Sequence, residues 1–346
     1  MRTVTLTPAA LADSRSRRRR RRRLIVAALG LALAALAAAA LMIGETFYSP
    51  GEVLGVLLGR QVPGASFTVG ELRLPRTVLA VLVGAAFGAA GTTFQTLLGN
   101  QLASPDIIGV SAGAAAAGVV GITVFRMSQW EVSAFALAAS LLVSAAIYLL
   151  SVRGRFAGTR LILVGIGTAA ILQSVTTWTL STASSWDLPA ATRWLTGSLN
   201  GASWERVVPV AVTVAVVVPS MVALNNLAAV MRLGDESATV LGVRVTPVRL
   251  AAIAGATVLV AVATATCGPI AFVAFLAGPI AARLVGPAAP LTAPAALIGA
   301  LLVLGADLIG QFALHVHYPV GVVTGVVGAP YLLYLIIRSN REGRTP

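Results

Sequence analysis

The chain has 346 residues, 57% of them hydrophobic and only 11% charged, under half the charged share of an average soluble domain (about 25%). Its net charge of +13 comes from 25 basic residues, all arginine, and the absence of lysine excludes both a Walker A loop and a Schiff-base enzyme. The single cysteine, Cys267, excludes an intrachain disulfide and a cysteine metal cluster, and the arginines are spread between apolar runs rather than gathered as a nucleic-acid surface.

A bilayer-spanning helix needs about 20 apolar residues, and the chain supplies such runs almost end to end. Residues 1–23 read as an arginine-rich cytoplasmic tail, ending in the seven-arginine run Arg17–Arg23. Leu24–Ile43 follows as an uncleaved first span. Residues 49–59 read as a short helix lying on the outer surface. Further spans are expected near 74–98, 107–125, 132–152, 161–181, 207–224, 248–266, 268–285, 293–314 and 320–337. Residues 24–337 thus form one transmembrane domain and 338–346 a cytoplasmic tail. The expectation is an all-α polytopic membrane protein of about ten helices. Cys267-Gly268-Pro269 leaves a second reading for the eighth span, a kinked or re-entrant segment. With both termini inside, 19 arginines fall on the cytoplasmic side and six outside, in keeping with the positive-inside rule.

Along this frame a few segments carry polar chemistry. Arg73 and Arg76, within Glu71-Leu-Arg-Leu-Pro-Arg-Thr77, lie three apart at the outer start of the second span. They either snorkel to lipid phosphates or dock an acidic partner outside the cell. Ser104-Pro105-Asp106 reads as a helix start. Leu233–Gly242 forms a two-turn element in an inner loop, bracketed by Gly234 and Gly242, with Asp235 and Glu236 in its first turn. Such a helix is too short to stand alone, so it docks on something or connects along the membrane surface. Asp307 is the one acid deep in a span and must face protein or water. It is a hydrogen-bonded structural acid or a proton relay. His315 and His317 are two apart and do not share a helix face, so no metal site is expected. Paired acids, a nucleophile with its base and metal-ligand clusters are missing, so no enzyme activity is expected.

Five segments in order resemble the FecCD-type permeases: Glu71–Thr77, Leu82-Val-Gly-Ala-Ala86, Asn100–Gly113, Leu233–Gly242 and Gly321-Val-Val-Thr-Gly-Val-Val-Gly-Ala-Pro330. These are the membrane subunits of ABC importers for ferric siderophores, haem and vitamin B12, and the resemblance runs from about Ser49 to Ile337. It implies type II importer architecture, ten helices per subunit and a dimeric pore. It also implies two ATPase subunits that bind ATP and Mg, with no cofactor on this chain, and a substrate-binding protein docked outside. By position, Arg73 and Arg76 resemble the docking arginines. Gly234, Asp235, Glu236, Ala238, Leu241 and Gly242 resemble the helix that couples to the ATPase. Asn100 and Leu102, with Gly158 and Thr159, resemble the cytoplasmic gate. Gly165, Thr168, Gln173 and Thr176 would line the pathway. Two departures stand out: Gly278-Pro-Ile-Ala-Ala-Arg283 lacks a histidine common in the family, and Gln311 replaces a docking arginine. Trp194–Gly201 with Trp204 is similar to the second permease of catecholate-siderophore systems, which implies a ferric siderophore and a heterodimer.

Overall fold

The centre of the protein is a helix made of residues too small to keep its neighbours away. The computed structural model describes residues 8–151, 158–287, 289–313 and 316–342, and among them every regular element is helical. Helix α4 (Leu74–Leu97) runs through the middle and is contacted by α9 (Trp204–Met231), α11 (Val245–Cys267), α12 (Val273–Val285) and α13 (Thr292–Leu308). Its buried face is largely alanine and glycine. A β-carbon on Gly88 would overlap the carbonyl oxygen of Ala295, and one on Gly84 the carbonyl of Gly299. Without a hydrophobic drive between helices in lipid, such close backbone approach supplies the packing attraction. Gly88→Ala is expected to lower stability by about 1–3 kcal/mol, the range for overpacking a filled core. Thermal unfolding in detergent checks this, and an unchanged melting temperature would contradict the close approach.

Helix α1 (Pro8–Met42) lies at the edge, mainly against α13. It starts well before the first apolar run and carries the arginine block as helix rather than as a separate tail; residues 1–7 and 343–346 lie outside the described residues. The short helix expected within 49–59 is present as α2 (Pro50–Leu57). The Ser49 hydroxyl accepts from the Glu52 N–H at 3.4 Å, while the Ser49 N–H donates back to Glu52 at 2.7 Å, a reciprocal cap that lowers the Glu52 carboxyl pKa. A short α3 (Ala65–Phe67) and a π-helical stretch, Thr68–Arg73, lead into α4. On the other side stand α5 (Val110–Thr123), α6 (Gln129–Ser151) and α7 (Gly158–Thr182), followed by a nine-residue helix α8 (Leu188–Thr196) that the sequence reading took as loop. Asp235–Val240 forms α10, and α14 spans Val320–Glu342.

Among the described residues seven helices are long and apolar enough to cross a membrane, and three shorter apolar ones, 110–123, 273–285 and 320–335, bring the set there to ten. The eighth expected span needs correction at its start. Helix α12 has 13 residues, about 20 Å, short of a hydrocarbon core of about 30 Å. The chain reverses through Gly268–Phe272 instead, with Gly268 at φ +75° and Phe272 at φ +65°. Flanking backbone bonds tie this corner down: Ser198 N–H donates to Cys267 O at 2.7 Å and Gly321 N–H to Gly197 O at 3.2 Å. Gly268 and Ile270 are buried at this corner, and these bonds serve backbone groups that no helix there pairs.

Candidate functional site

The polar side chains gather at the two ends of the bundle. Alternating helix direction puts the start of α1, the end of α4 and α10 at one face, and the end of α1, the start of α4 and the end of α13 at the far face.

At the far face, the guanidinium of Arg73 turns back onto the end of α1. It donates to the carbonyls of Leu41 at 2.9 Å, Met42 at 3.0 Å and Thr46 at 2.6 Å, and stands 5.0 Å from the centre of the Tyr48 ring. These are carbonyls at or just beyond a helix end that lack helical partners, and a cation there also suits the helix dipole. Arg76 grips Asp307 with two bonds, Nε to Oδ2 at 2.9 Å and Nη2 to Oδ1 at 2.8 Å, while Nη1 donates to Asn200 Oδ1 at 3.0 Å. Gln311, in the π-helical stretch Ile309–Ala313, donates its amide to Asp307 Oδ2 at 2.6 Å. The Asp307 side chain is 5% exposed and that of Arg76 24%.

The Arg73 and Arg76 guanidiniums are thus engaged within the chain, Arg73 by backbone carbonyls and Arg76 by Asp307 and Asn200. Asp307 sits near the far end of α13 with Arg76 as its counter-ion. Gln311, the departure from the family pattern, gives the carboxylate a neutral third donor where an arginine would add a second positive charge. His317 lines the recess beside this cluster; His315 lies outside the described residues. Among the described residues no group of three metal-ligating side chains comes together.

At the opposite face, α10 is fixed to the bundle. Ala238 is buried and packs in a small cluster with Val243 and Val248, while the Arg249 guanidinium holds Asp235 by bonds of 3.1 Å and 2.6 Å. Gly234 at φ +98° and Gly242 at φ +85° make the bends on either side, in a region that favours glycine. Three large apolar side chains on α10 and its flanks, Leu233, Val240 and Leu241, are 66%, 87% and 63% exposed, beside the exposed polar residues Glu236, Ser237 and Thr239. Asp235 anchors the helix through Arg249 while half of its side chain stays in water. Asp235→Asn is expected to cost only about 1 kcal/mol, since the pair is half exposed. Faster amide hydrogen exchange confined to α10 checks it, and exchange unchanged across α10 would refute the anchoring role.

The four residues expected at the gate lie on two segments of this face. Asn100 and Leu102 are exposed between α4 and α5, with Asn100 Oδ1 accepting from the Leu102 N–H at 2.8 Å. Gly158 and Thr159 open α7. The intervening 3₁₀ turn Pro105–Ile108 packs against α7.

The expected pathway residues on α7 do not share one face. Gly165 and Thr176 are buried and Thr168 is half-buried, with the two hydroxyls donating to carbonyls four residues back. Gln173 is exposed, at the margin of a face carrying Gly167, Ala170, Ser174, Thr177 and Ser181. That small, polar stripe is what the sequence reading missed, although its spacing of three and four residues was readable. The same helix also exposes Leu163, Ile166, Ile171 and Trp178 on and beside that stripe, and α9 exposes Val208, Val212 and Val216. Large aliphatic residues suit lipid, whereas hydroxyls and glycine suit a protein or water-filled surface.

Comparison with known proteins gives a consistent picture. A model of the FecCD transport family matches residues 31–338. The ferric enterobactin transport system permease protein FepG of Escherichia coli is 37% identical over 303 residues, covering 87% of this chain and 92% of that protein. The achromobactin transport system permease protein CbrC of Dickeya dadantii is 37% identical over 306 residues, covering 87% and 88%. A solved inward-facing structure of an ABC transporter assigned to the metal-chelate type superposes with TM-score 0.82 at 25% identity, over 91% of this chain and 99% of that one.

Proposed function

Since the chain belongs to the FecCD transport family, we propose that it is the membrane-spanning permease subunit of an ATP-binding-cassette importer that carries a ferric siderophore inward. It is a multi-pass transport subunit, not an enzyme. The observation that carries the reading is α10, a helix bolted to the bundle from within that holds three apolar side chains out in water. A short helix with that pattern is a contact for another protein.

In this reading α10 sits in a groove of an ATPase subunit, and two such subunits bind ATP and Mg. Nucleotide binds the two conformations of the ATPase pair with different affinity, and that difference moves α10. Motion of α10 reaches the segments at Asn100, Leu102, Gly158 and Thr159, which act as the gate. The small polar face of α7, with Gln173 at its edge, lines the passage against a second permease subunit, and a heterodimer is favoured by the Trp194–Gly201 segment. A binding protein docks on the far face, where Arg73 and Arg76 fix the backbone that it meets. Both termini are cytoplasmic and the membrane is the inner one. The relatives' substrates and the Trp194 segment support a ferric siderophore over haem or cobalamin. A proton-coupled carrier using Asp307 is disfavoured, because Arg76 and Gln311 already take three of the carboxylate's lone pairs.

The test is affinity purification of the tagged chain from its native host, with identification of its companions. A second permease, an ATPase and retention of a ferric catecholate by the assembled complex are expected. A chain that purifies alone, or a complex that ignores ferric siderophores, would overturn the assignment.

A further inference from the structure

The helix that begins the structure is longer than a membrane requires, and its depth is fixed. Its apolar part, Leu24–Met42, has 19 residues, about 28 Å at 1.5 Å per residue, which matches the hydrocarbon core. Arg73 holds the far end of that stretch through the carbonyls of Leu41 and Met42. With one end pinned, Arg23 and the arginines before it emerge at the headgroup level of the opposite leaflet.

Helix α1 stays helical through the whole run Arg17–Arg23. Seven consecutive residues at 100° each turn through nearly two full circuits, so the guanidiniums point to every side. They rise through about 9 Å, comparable to the headgroup layer between the core and water. Arg17 pairs with Asp13 at 2.9 Å, and six of the seven side chains are exposed with Arg22 half-buried. Below them α1 touches protein on one side only, chiefly α13, and exposes Leu24 and Leu31 at 62% and 73%. Lipid tails must cover those leucines, so lipid headgroups meet the arginines directly above.

We propose that Arg17–Arg23 form a helical collar that binds anionic phospholipid headgroups, retaining a small set of these lipids along the exposed side of α1. Guanidinium groups suit this ligand, since each pairs a phosphate with two parallel bonds and stays charged at any physiological pH. The collar does more than mark topology, because bundle packing sets its depth through Arg73. Which leaflet supplies the lipids rests on the topology proposed above; the contact itself does not.

The experiment uses the assembled complex, stripped of lipid in detergent and titrated with phosphatidylglycerol or phosphatidylcholine, with bound lipid counted by native mass spectrometry. The wild type should prefer phosphatidylglycerol by about tenfold or more. Arg18→Gln, Arg20→Gln, Arg21→Gln and Arg22→Gln together keep three arginines for topology and should bring the preference close to one. Lysine at the same four positions should keep part of it. Should the glutamine chain fail to assemble, the wild type is compared at low and high salt, where screening should erase the preference. A glutamine chain with the wild-type preference, or a preference indifferent to salt, would overturn the proposal.

Discussion

Replacing Asp307 with asparagine lowers the stability of the chain by about 3 kcal/mol, the scale for leaving one member of a buried ion pair without its partner. The Arg76 guanidinium would keep Asn200 but lose two charge-assisted bonds, in a position where water reaches only part of it. Arg76→Met leaves the mirror defect, a carboxylate that is 5% exposed with only the Gln311 amide for company. The double variant Arg76→Met with Asp307→Leu should cost less than the two single losses added together, by about 1 kcal/mol or more, because neither charge is then stranded. Denaturation in detergent measures all three. Strictly additive losses would show that the pair is not coupled. An Arg76→Met chain that melts like the wild type yet binds its partner weakly would return Arg76 to a docking role.

Placing aspartate at Val240 and Leu241 should abolish ATP-driven transport while leaving the fold intact. Both side chains are largely exposed, so the change adds charge where water already reaches and should move stability by about 0.5 kcal/mol or less. At a protein interface an apolar anchor of this kind is worth about 2 kcal/mol, so each loss weakens ATPase binding by about thirtyfold. Ala238→Leu provides the contrast. Ala238 is buried where α10 meets α9 and α11, so a larger side chain there should loosen α10 itself and lower the melting temperature. If the aspartate chain binds the ATPase with wild-type affinity, α10 is not the contact.

The long spans could be read in the sequence because an apolar run of 20 residues has few other fates. The corner at Gly268–Phe272 was half readable: Gly and Pro announced a break, but the residues on both sides are equally apolar, so composition could not date where helix resumes. Helix α8 was missed since its nine residues are too few to span and only Ala191 and Trp194 of them are buried. The partners of Arg73 and Arg76 were beyond reach for a different reason. Arg73 bonds to backbone carbonyls, which carry no sequence signal, and Asp307 lies 231 residues from Arg76. On α10 the first-turn acids were readable as a dipole feature, whereas the hold of Arg249 on Asp235, 14 residues away, was not. On α7 the spacing was available, and a helical wheel separates Gln173 from Gly165, Thr168 and Thr176.

The central claim is that this chain has no source of energy of its own and receives force at α10. Uptake of a labelled ferric catecholate into proteoliposomes decides it most directly. Vesicles holding the complete complex, with binding protein on one side and ATP on the other, should accumulate the label, and the α10 aspartate chain in the same complex should not. Accumulation driven by a proton gradient through the permease alone, with no ATPase present, would contradict the account.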